Sequence, residues 1–542
     1  MITICYSEQQ IETFPKNGSC TRIAVDPARC GSLLTVKTSI PVIDINGFWV
    51  SSVTPGPEKM NIPWHFEHKS ALHYSFPFVA VFNHAGINRA SLATTNLRDD
   101  TRFNYELNQQ NGTYDICCTI AITATTQPFG IILDCRDLDW QTVLADWRNS
   151  LSLPELNYPD AAWDPVFCTW YAVHGEVTRQ FVEHNAPLAG ELGLTTLIID
   201  DGWCYDDMRR VSPDYYGIWY EFIGDWNVSE KKFPDFKEHV SKIHSLGLKY
   251  MLWVAPHLWG FRSKLYQNNP GKTVGTPWDS CDQMDVNQAD FAPLIEKLRS
   301  LAVDNDLDGL KIDFLDVVPP DPDKPNAGKT AELIADLCCG LKHDNPDVLI
   351  EFRQNYSTIG MLPYGTQFRA ADVPFNWYWN FGRLAELRLA IGNLAPVHAD
   401  PAYWAFGEST ENVARHMMAM LVGVPMISMD LTRLTDTEKR IIKYYLDFYN
   451  SHRPLINHGN WHIYFNISDI DAAVVENDQE RMIIIVAGNR LDELFRPDGK
   501  TTYIMNLSTR KLHLPGAKSV DASCQIPAAN IIPPAGSGVM KQ

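Results

Sequence analysis

The sequence has no Cys-x-x-Cys pair with metal-ligand spacing, although it carries twelve cysteines in 542 residues. Two pairs are adjacent, Cys117/Cys118 and Cys338/Cys339. In a chain this long such cysteines read as free thiols of a reducing compartment, and a zinc site is not expected. There is no Lys/Arg-rich tract, and the net charge is -19. That disfavours nucleic acid as a partner, because phosphate binding needs a basic footprint. No run of about 18 uncharged apolar residues occurs, so no membrane span is expected. The opening MITICYSEQQIETF lacks a basic stretch and a long apolar core, and does not read as a signal peptide. The expectation is a cytoplasmic protein with no membrane partner. A Gly-x-Gly-x-x-Gly turn is also missing, which counts against an open dinucleotide-binding sheet.

What is present is aromatic. The chain has 16 Trp, 21 Tyr and 24 Phe, enough to line flat apolar surfaces such as the faces of sugar rings as well as to fill a core. Its length exceeds a single core and predicts two or three domains.

Residues 1–160 read as short strands cut by Gly, Pro and Asn turns, with examples at Leu34–Thr38, Phe78–Phe82, Tyr114–Ile122 and Phe129–Asp134. No long amphipathic helix is read there, so an N-terminal β-sandwich is expected. From about 161 to 450 strand-like runs alternate with helix-like ones, the pattern of parallel β/α units. The eight strand candidates are Val166–Tyr171, Thr196–Trp203, Lys249–Pro256, Asp308–Phe314, Val348–Arg353, Gln367–Asp372, Leu394–His398 and Pro425–Asp430. Eight over this length predict a TIM barrel, with a doubly wound open sheet as the alternative. Thr435 and Glu438 form a capping-box pattern opening the last barrel helix. Residues 451–542 read as a small antiparallel C-terminal β domain, and the Pro/Gly/Ala-rich stretch at 527–538 suggests no chemistry.

Four candidate strands end in acids, at Asp200/Asp201, Asp313, Asp372 and Asp430. Barrel active sites lie at the C-terminal ends of the strands, so these acids are expected to converge. Adjacent strand residues face opposite ways, so at most one of Asp200 and Asp201 points fully into a pocket, where it can take two neighbouring hydroxyls. Capping of the next helix is the other reading of Asp201. Lys311 and Asp313 lie two apart in DGLKIDFLD (Asp308–Asp316), hence on one face. An ion pair at the mouth of a strand is the plain alternative there. The Lys311 charge favours an anionic Asp313, which suits a nucleophile. Arg369 would lower the pKa of Asp372. Asp313 and Asp372, ending different strands, fit the two carboxyls of a retaining glycosidase.

The order and spacing of motifs over 165–456 resemble clan D retaining α-glycosidases, and among them glycoside hydrolase family 36, the α-galactosidase and raffinose synthase-like group. PVFCTWY from Pro165 is similar to that family's first strand, and IDDGW (Ile199–Trp203) to its DDGW motif. GDW (Gly224–Trp226) with KFP (Lys232–Pro234) resembles the next segment, and LWVAP (Leu252–Pro256) the third strand. LTRLTDTEK from Leu431 and HRPLI from His452 resemble the exit helix and the segment after it. The resemblance implies an exo-acting α-galactosidase-like hydrolase working by double displacement. Asp313 would be the nucleophile and Asp372 the acid/base. Asp200, Asp201 and Lys311 would bind the sugar, with Trp170, Trp203, Trp226, Trp253 and Arg369 around it; Arg353 is a further candidate substrate contact that the family pattern does not supply. It implies no cofactor and a small oligosaccharide or glycoside substrate, and leaves homo-oligomerisation open.

The chain departs from the family at IEFRQN (Ile350–Asn355), which stands where the family has Cys and a Gly-rich run. Trp377–Asn380 adds aromatics after Asp372, and VHADP (Val397–Pro401) matches the seventh strand only loosely. Two further readings therefore stand. One is a retaining α-glycosidase or transglycosylase for another donor, an α-glucoside or an acidic sugar read by Arg353 or Arg209. The other is a non-catalytic carbohydrate-binding protein. Glu351 and Arg353 neutralising each other as a buried pair is the plain account of that segment.

Overall fold

The computed structural model describes all residues except 8–9, 17–18, 53–57, 60–64, 207–219, 276–277, 467–468, 496–497 and 542. Arg209 lies outside the described residues. A single eight-stranded parallel sheet forms the centre: β1 Val166–Cys168, β2 Thr196–Ile199, β3 Lys249–Val254, β4 Gly309–Ile312, β5 Leu349–Arg353, β6 Gln367–Arg369, β7 Val397–His398 and β8 Met426–Ile427. The spatial order is β7-β6-β5-β4-β3-β2-β1-β8, every neighbour sequential except the first and last strands, β1 and β8, which pair with each other. A parallel bridge from His398 to Val424 joins β7 to the approach of β8 and closes the ring. This is the TIM barrel, and no open doubly wound sheet is formed.

In β4, Leu310 and Ile312 belong to the apolar packing, while Lys311 is buried toward other charges. Gly309 opens this strand because a Cβ there would stand 1.9 Å from the Leu349 carbonyl oxygen of β5. Helices Arg179–Leu192 (α1), Phe236–Ser245 (α2), Ala292–Asp304 (α3) and Ala327–Asp344 (α4) link β1 through β5. Trp377–Ile391 (α5) and Thr410–Ala419 (α6) link β6 to β8, and Asp436–Ser451 (α7) comes after β8. Between β5 and β6 there is only a 3-10 turn, Ile359–Met361. The Thr435/Glu438 capping box of α7 is formed, with both reciprocal bonds present.

Two six-stranded antiparallel sheets precede the barrel and enclose their own core, which includes Ile4, Val36, Phe103, Ile116 and Leu133. The expectation of no long helix before residue 160 is corrected by Trp140–Asn149. Trp140, Val143, Leu144 and Trp147 are its buried stripe, at helical spacing, and Asp139 caps it by accepting from the Gln141 N–H. This first part grips the barrel through polar groups. The Asp100 carboxylate accepts from the backbone N–H groups of Asp321, Asn326 and Ala327 and so caps α4 from outside. Trp49 donates to Glu386 of α5 at 2.9 Å. The last part is a seven-stranded sheet, antiparallel except where Glu480–Ile485 runs parallel to Thr501–Asn506. The 527–538 stretch contributes strands to it, at Pro527–Ile532 and Ser537–Lys541. Among the described residues no helix is long and apolar enough to cross a membrane.

Candidate active site

The C-terminal ends of β2, β4, β5, β6 and β7 bring charged side chains together. Lys311, from β4, reaches past β3 to Asp200, with Nζ 2.6 Å from Oδ2. Burial and the Arg369 charge push the Lys311 pKa down, and the Asp200, Cys168 and Glu351 groups push it up by more, so it stays protonated. Asp200 also accepts from the Cys168 thiol and from the Asp201 N–H.

Asp201 behaves differently. It is buried, and among the described residues no hydrogen bond of good geometry reaches either carboxylate oxygen, although the Tyr205 hydroxyl and the Gly202 N–H lie close enough to favour its charged form. Burial first, and then the neighbouring Asp200 charge, raise its pKa well above the carboxylate range. Gly202 comes next with φ +121, and a Cβ there would lie 2.7 Å from the Gly175 backbone, so only glycine permits this turn. Asp201 caps no helix. It is a carboxyl able both to give and to accept a hydrogen bond.

Asp313 begins where β4 ends. Its Oδ2 accepts from Trp253 Nε1 at 2.9 Å, and its Oδ1 from Arg353 Nε, the Phe314 N–H at 2.7 Å and the Tyr356 hydroxyl at 3.3 Å. Burial alone would raise its pKa. The charges of Arg353, Lys311 and Arg369 and the Trp253 bond outweigh that and hold it far below the usual range. Arg353 extends from β5 over the Phe314 ring and also faces Asp316 at 3.7 Å. Glu351, two residues earlier, is bound by Arg369 at 3.2 Å instead. The two do not neutralise each other. Each has its own partner because β5 sits between the Asp313 and Arg369 clusters.

Asp372 lies just beyond β6. Its side chain is 51% exposed, and Arg369 Nη1 lies 3.0 Å from Oδ1. What burial it has opposes ionisation, and Arg369, Arg353 and Lys311 outweigh it, so its pKa is lowered. The Asp313 charge acts the other way and raises it. The same Arg369 nitrogen contacts Asp400, a residue the sequence motifs do not single out. Asp400 also accepts from Tyr171 at 2.9 Å and from the Val373 N–H at 2.7 Å. Burial pushes its carboxyl up to about 7 against the Arg369 charge.

The aromatic residues divide. Trp203, Trp226 and Trp253 are fully buried. Trp203 donates to the Trp253 carbonyl at 2.8 Å and stacks on Trp226, so these rings stand behind the charged groups. Trp170 is half-buried at the end of β1, edge-on to His174. Tyr220 was not anticipated. It stacks on Trp278 and meets Phe314 edge-on, and burial first, then the charges of Asp201, Asp313 and Asp372, raise its pKa. Asp430 does not join them. It caps the turn after β8, accepting from the Thr432 N–H and hydroxyl. The sequence signal was there, since Asp with Thr two residues later is a capping pattern. No group of three or more His, Cys, Asp or Glu is arranged to hold a metal among the described residues.

Comparison with known proteins places this geometry. A melibiase family model matches residues 153–292. An α-galactosidase, AgaA, of Geobacillus stearothermophilus is 22% identical over 327 residues, covering 54% of this chain and 42% of that protein. Alpha-galactosidase 1 of Pediococcus pentosaceus is 26% identical over 321 residues, covering 54% and 41%. This chain therefore aligns with less than half the length of those two relatives. The crystal structure of the Geobacillus enzyme superposes with a TM-score of 0.64 at 16% identity, covering 94% of this chain and 77% of that one. That of the α-galactosidase from Thermus thermophilus gives 0.58 at 14% identity, covering 88% and 95%. At these identities the superpositions speak for the fold.

Proposed function

We propose, for a chain that belongs among the glycoside hydrolase family 36-like α-galactosidases, that it is a retaining, exo-acting α-galactosidase-like glycosidase. The observation that carries this is the pair Asp313 and Asp372. One is buried and held anionic by four donors, and the other is half-exposed under a single arginine nitrogen. In the first displacement Asp372, which its lowered pKa leaves ionised in the free site, must take up a proton as substrate binds, and it gives that proton to the leaving oxygen while Asp313 attacks the anomeric carbon. Esterification removes the Asp313 charge, and with it the influence that raises the Asp372 pKa. Asp372 then holds a proton less readily in the resting intermediate and stands ionised as a base. It takes a proton from water, or from an acceptor sugar, as that oxygen displaces Asp313.

The buried Asp201 carboxyl, beside the Lys311–Asp200 pair, supplies hydrogen bonds for the sugar hydroxyls that replace water in the pocket. An acidic sugar is not favoured. Arg353 already faces two carboxylates, Asp313 and Asp316, so its charge is matched before any substrate arrives. A small glycoside is the substrate on this reading. With all twelve cysteines free, we place the protein in the cytoplasm.

The test is Asp313→Gly with azide. Loss of glycoside turnover, with formation of the β-glycosyl azide from an α-donor, is expected. Full activity of Asp313→Ala overturns the reading. Side-by-side hydrolysis of 4-nitrophenyl α-galactoside and α-glucoside identifies the donor sugar.

A further inference from the structure

Most large aromatic side chains around the barrel mouth are buried, but two next to Asp372 are not. Phe375 is 57% exposed and Trp379 is 39% exposed. Both lie on the segment that leaves β6 and enters α5, three and seven residues after Asp372.

Each ring is tied to Asp372 by a short chain of contacts. Phe375 meets the edge of Tyr403 at 4.7 Å between centroids, and its N–H bonds the Tyr403 carbonyl. Tyr403 in turn lies against Tyr171, which donates to Asp400, the second acid on the arginine that holds Asp372. On the other side Arg383 packs over the Trp379 ring at 5.6 Å and donates to the Asp372 carbonyl. The position of Phe375 is also strained. Its φ is +64, in the left-handed region that a bulky aromatic residue rarely adopts. Such strain concentrates where function needs a particular side-chain placement. Here it leaves the ring uncovered, where an ordinary core aromatic would be buried.

We propose that Phe375 and Trp379 wall a leaving-group subsite, and that it takes a flat moiety with an apolar face, either an aryl aglycone or the face of a second hexose. This rests on Asp372 being the acid, as proposed above. The acid delivers its proton to the leaving oxygen, so the leaving group must lie over Asp372, on the outer side of the buried sugar pocket. An aromatic ring in that position covers the apolar face of the departing group and is itself removed from water.

The experiment compares three α-galactosyl donors with wild type, Phe375→Ala and Trp379→Ala: the fluoride, the 4-nitrophenyl glycoside and a galactosyl-hexose disaccharide. Fluoride is too small to reach the rings, so it normalises each variant for folding and for the chemistry at Asp313. A fall of about tenfold in the ratio of kcat/KM for the aryl donor over fluoride identifies an aryl subsite. The same fall for the disaccharide identifies a hexose subsite. Both ratios staying within about threefold of wild type in both variants overturns the proposal. Wild type that turns over none of the three donors overturns the α-galactosidase reading, and with it the subsite as proposed for the leaving group of a galactosyl donor.

Discussion

The two sides of the barrel mouth treat a carboxylate in opposite ways. On the β3–β5 side Asp313 is buried, and its two oxygens take four donors from Trp253, Phe314, Arg353 and Tyr356. On the β6–β7 side Asp372 has one oxygen in contact with one arginine nitrogen, and half of it faces solvent. Both are held below the ordinary carboxylate range. The difference lies in how firmly each is held and how much water reaches it. A nucleophile gains from fixed orientation and exclusion of water, because it must reach one carbon along one line. An acid/base must exchange its proton once per half-reaction, and it needs contact with the incoming water. On the proposed roles, charge alone would not tell the two carboxylates apart, and confinement does.

The strongest way to break that contrast is Asp372→Ala. A glycoside with a poor leaving group, such as a sugar, should lose about 10² to 10⁴ in kcat/KM, the usual worth of general acid catalysis. The fluoride donor needs no proton and should lose much less. Azide should then give the α-glycosyl azide, because Asp313 still forms the covalent intermediate. Equal losses for both donors, or a β-azide product, would reverse the roles of the two carboxylates.

The second test concerns what holds the exposed side together. Arg369 is buried among Glu351, Asp372 and Asp400. Arg369→Met leaves Glu351 and Asp400 buried without their cation, and removing one partner of such a cluster costs about 3–5 kcal/mol. Urea unfolding at pH 7 should show a much lower midpoint than wild type. Both of those carboxyls have raised pKa values, that of Asp400 to about 7. Without Arg369 they rise further, so the penalty should shrink as pH falls and both take up protons. A midpoint at the wild-type value would show that Arg369 is not the organising charge.

How much of this was legible in the sequence depends on the kind of information each pattern encodes. Strands such as Thr196–Ile199 and Gly309–Ile312 announce themselves as largely apolar runs followed at once by an acid, because a barrel stave must be dry along its length and functional at its end. The partners of those end groups are not encoded locally. Spacing by two places Glu351 and Arg353 on one face, but it does not reveal that one turns to Arg369 and the other to Asp313. Asp400 escaped notice because β7 is two residues long, and Ala-Asp-Pro after it reads as a turn. Tyr220 belongs to no strand, so its packing against Trp278 and Phe314 comes only from the folded loop. The β5–β6 connection lacks a helix for a reason visible in its residues: Gly360, Pro363 and Gly365 interrupt any helical run.

The smallest and most specific test separates Arg353 from the rest of the Asp313 cage. Arg353→Gln keeps a polar side chain and removes the charge that does most to offset the burial of Asp313. Lys311, Arg369 and the Trp253 bond remain, so Asp313 should still ionise near neutrality, but its pKa must rise. The sign is fixed by linkage. A depressed carboxyl contributes stability above its unfolded pKa of about 3.9, and that contribution is lost as pH falls through the lower native value. Raising the native value removes this contribution and carries the acidic limb of kcat/KM upward in pH. The fluoride donor isolates that limb, since it makes no demand on Asp372. With it, the variant should approach wild-type rates at pH 7 and fall behind as pH drops toward 4. An acidic limb that stays where it was would mean that Lys311 and Trp253 suffice. Arg353 would then serve Asp316 and the Phe314 ring rather than the nucleophile.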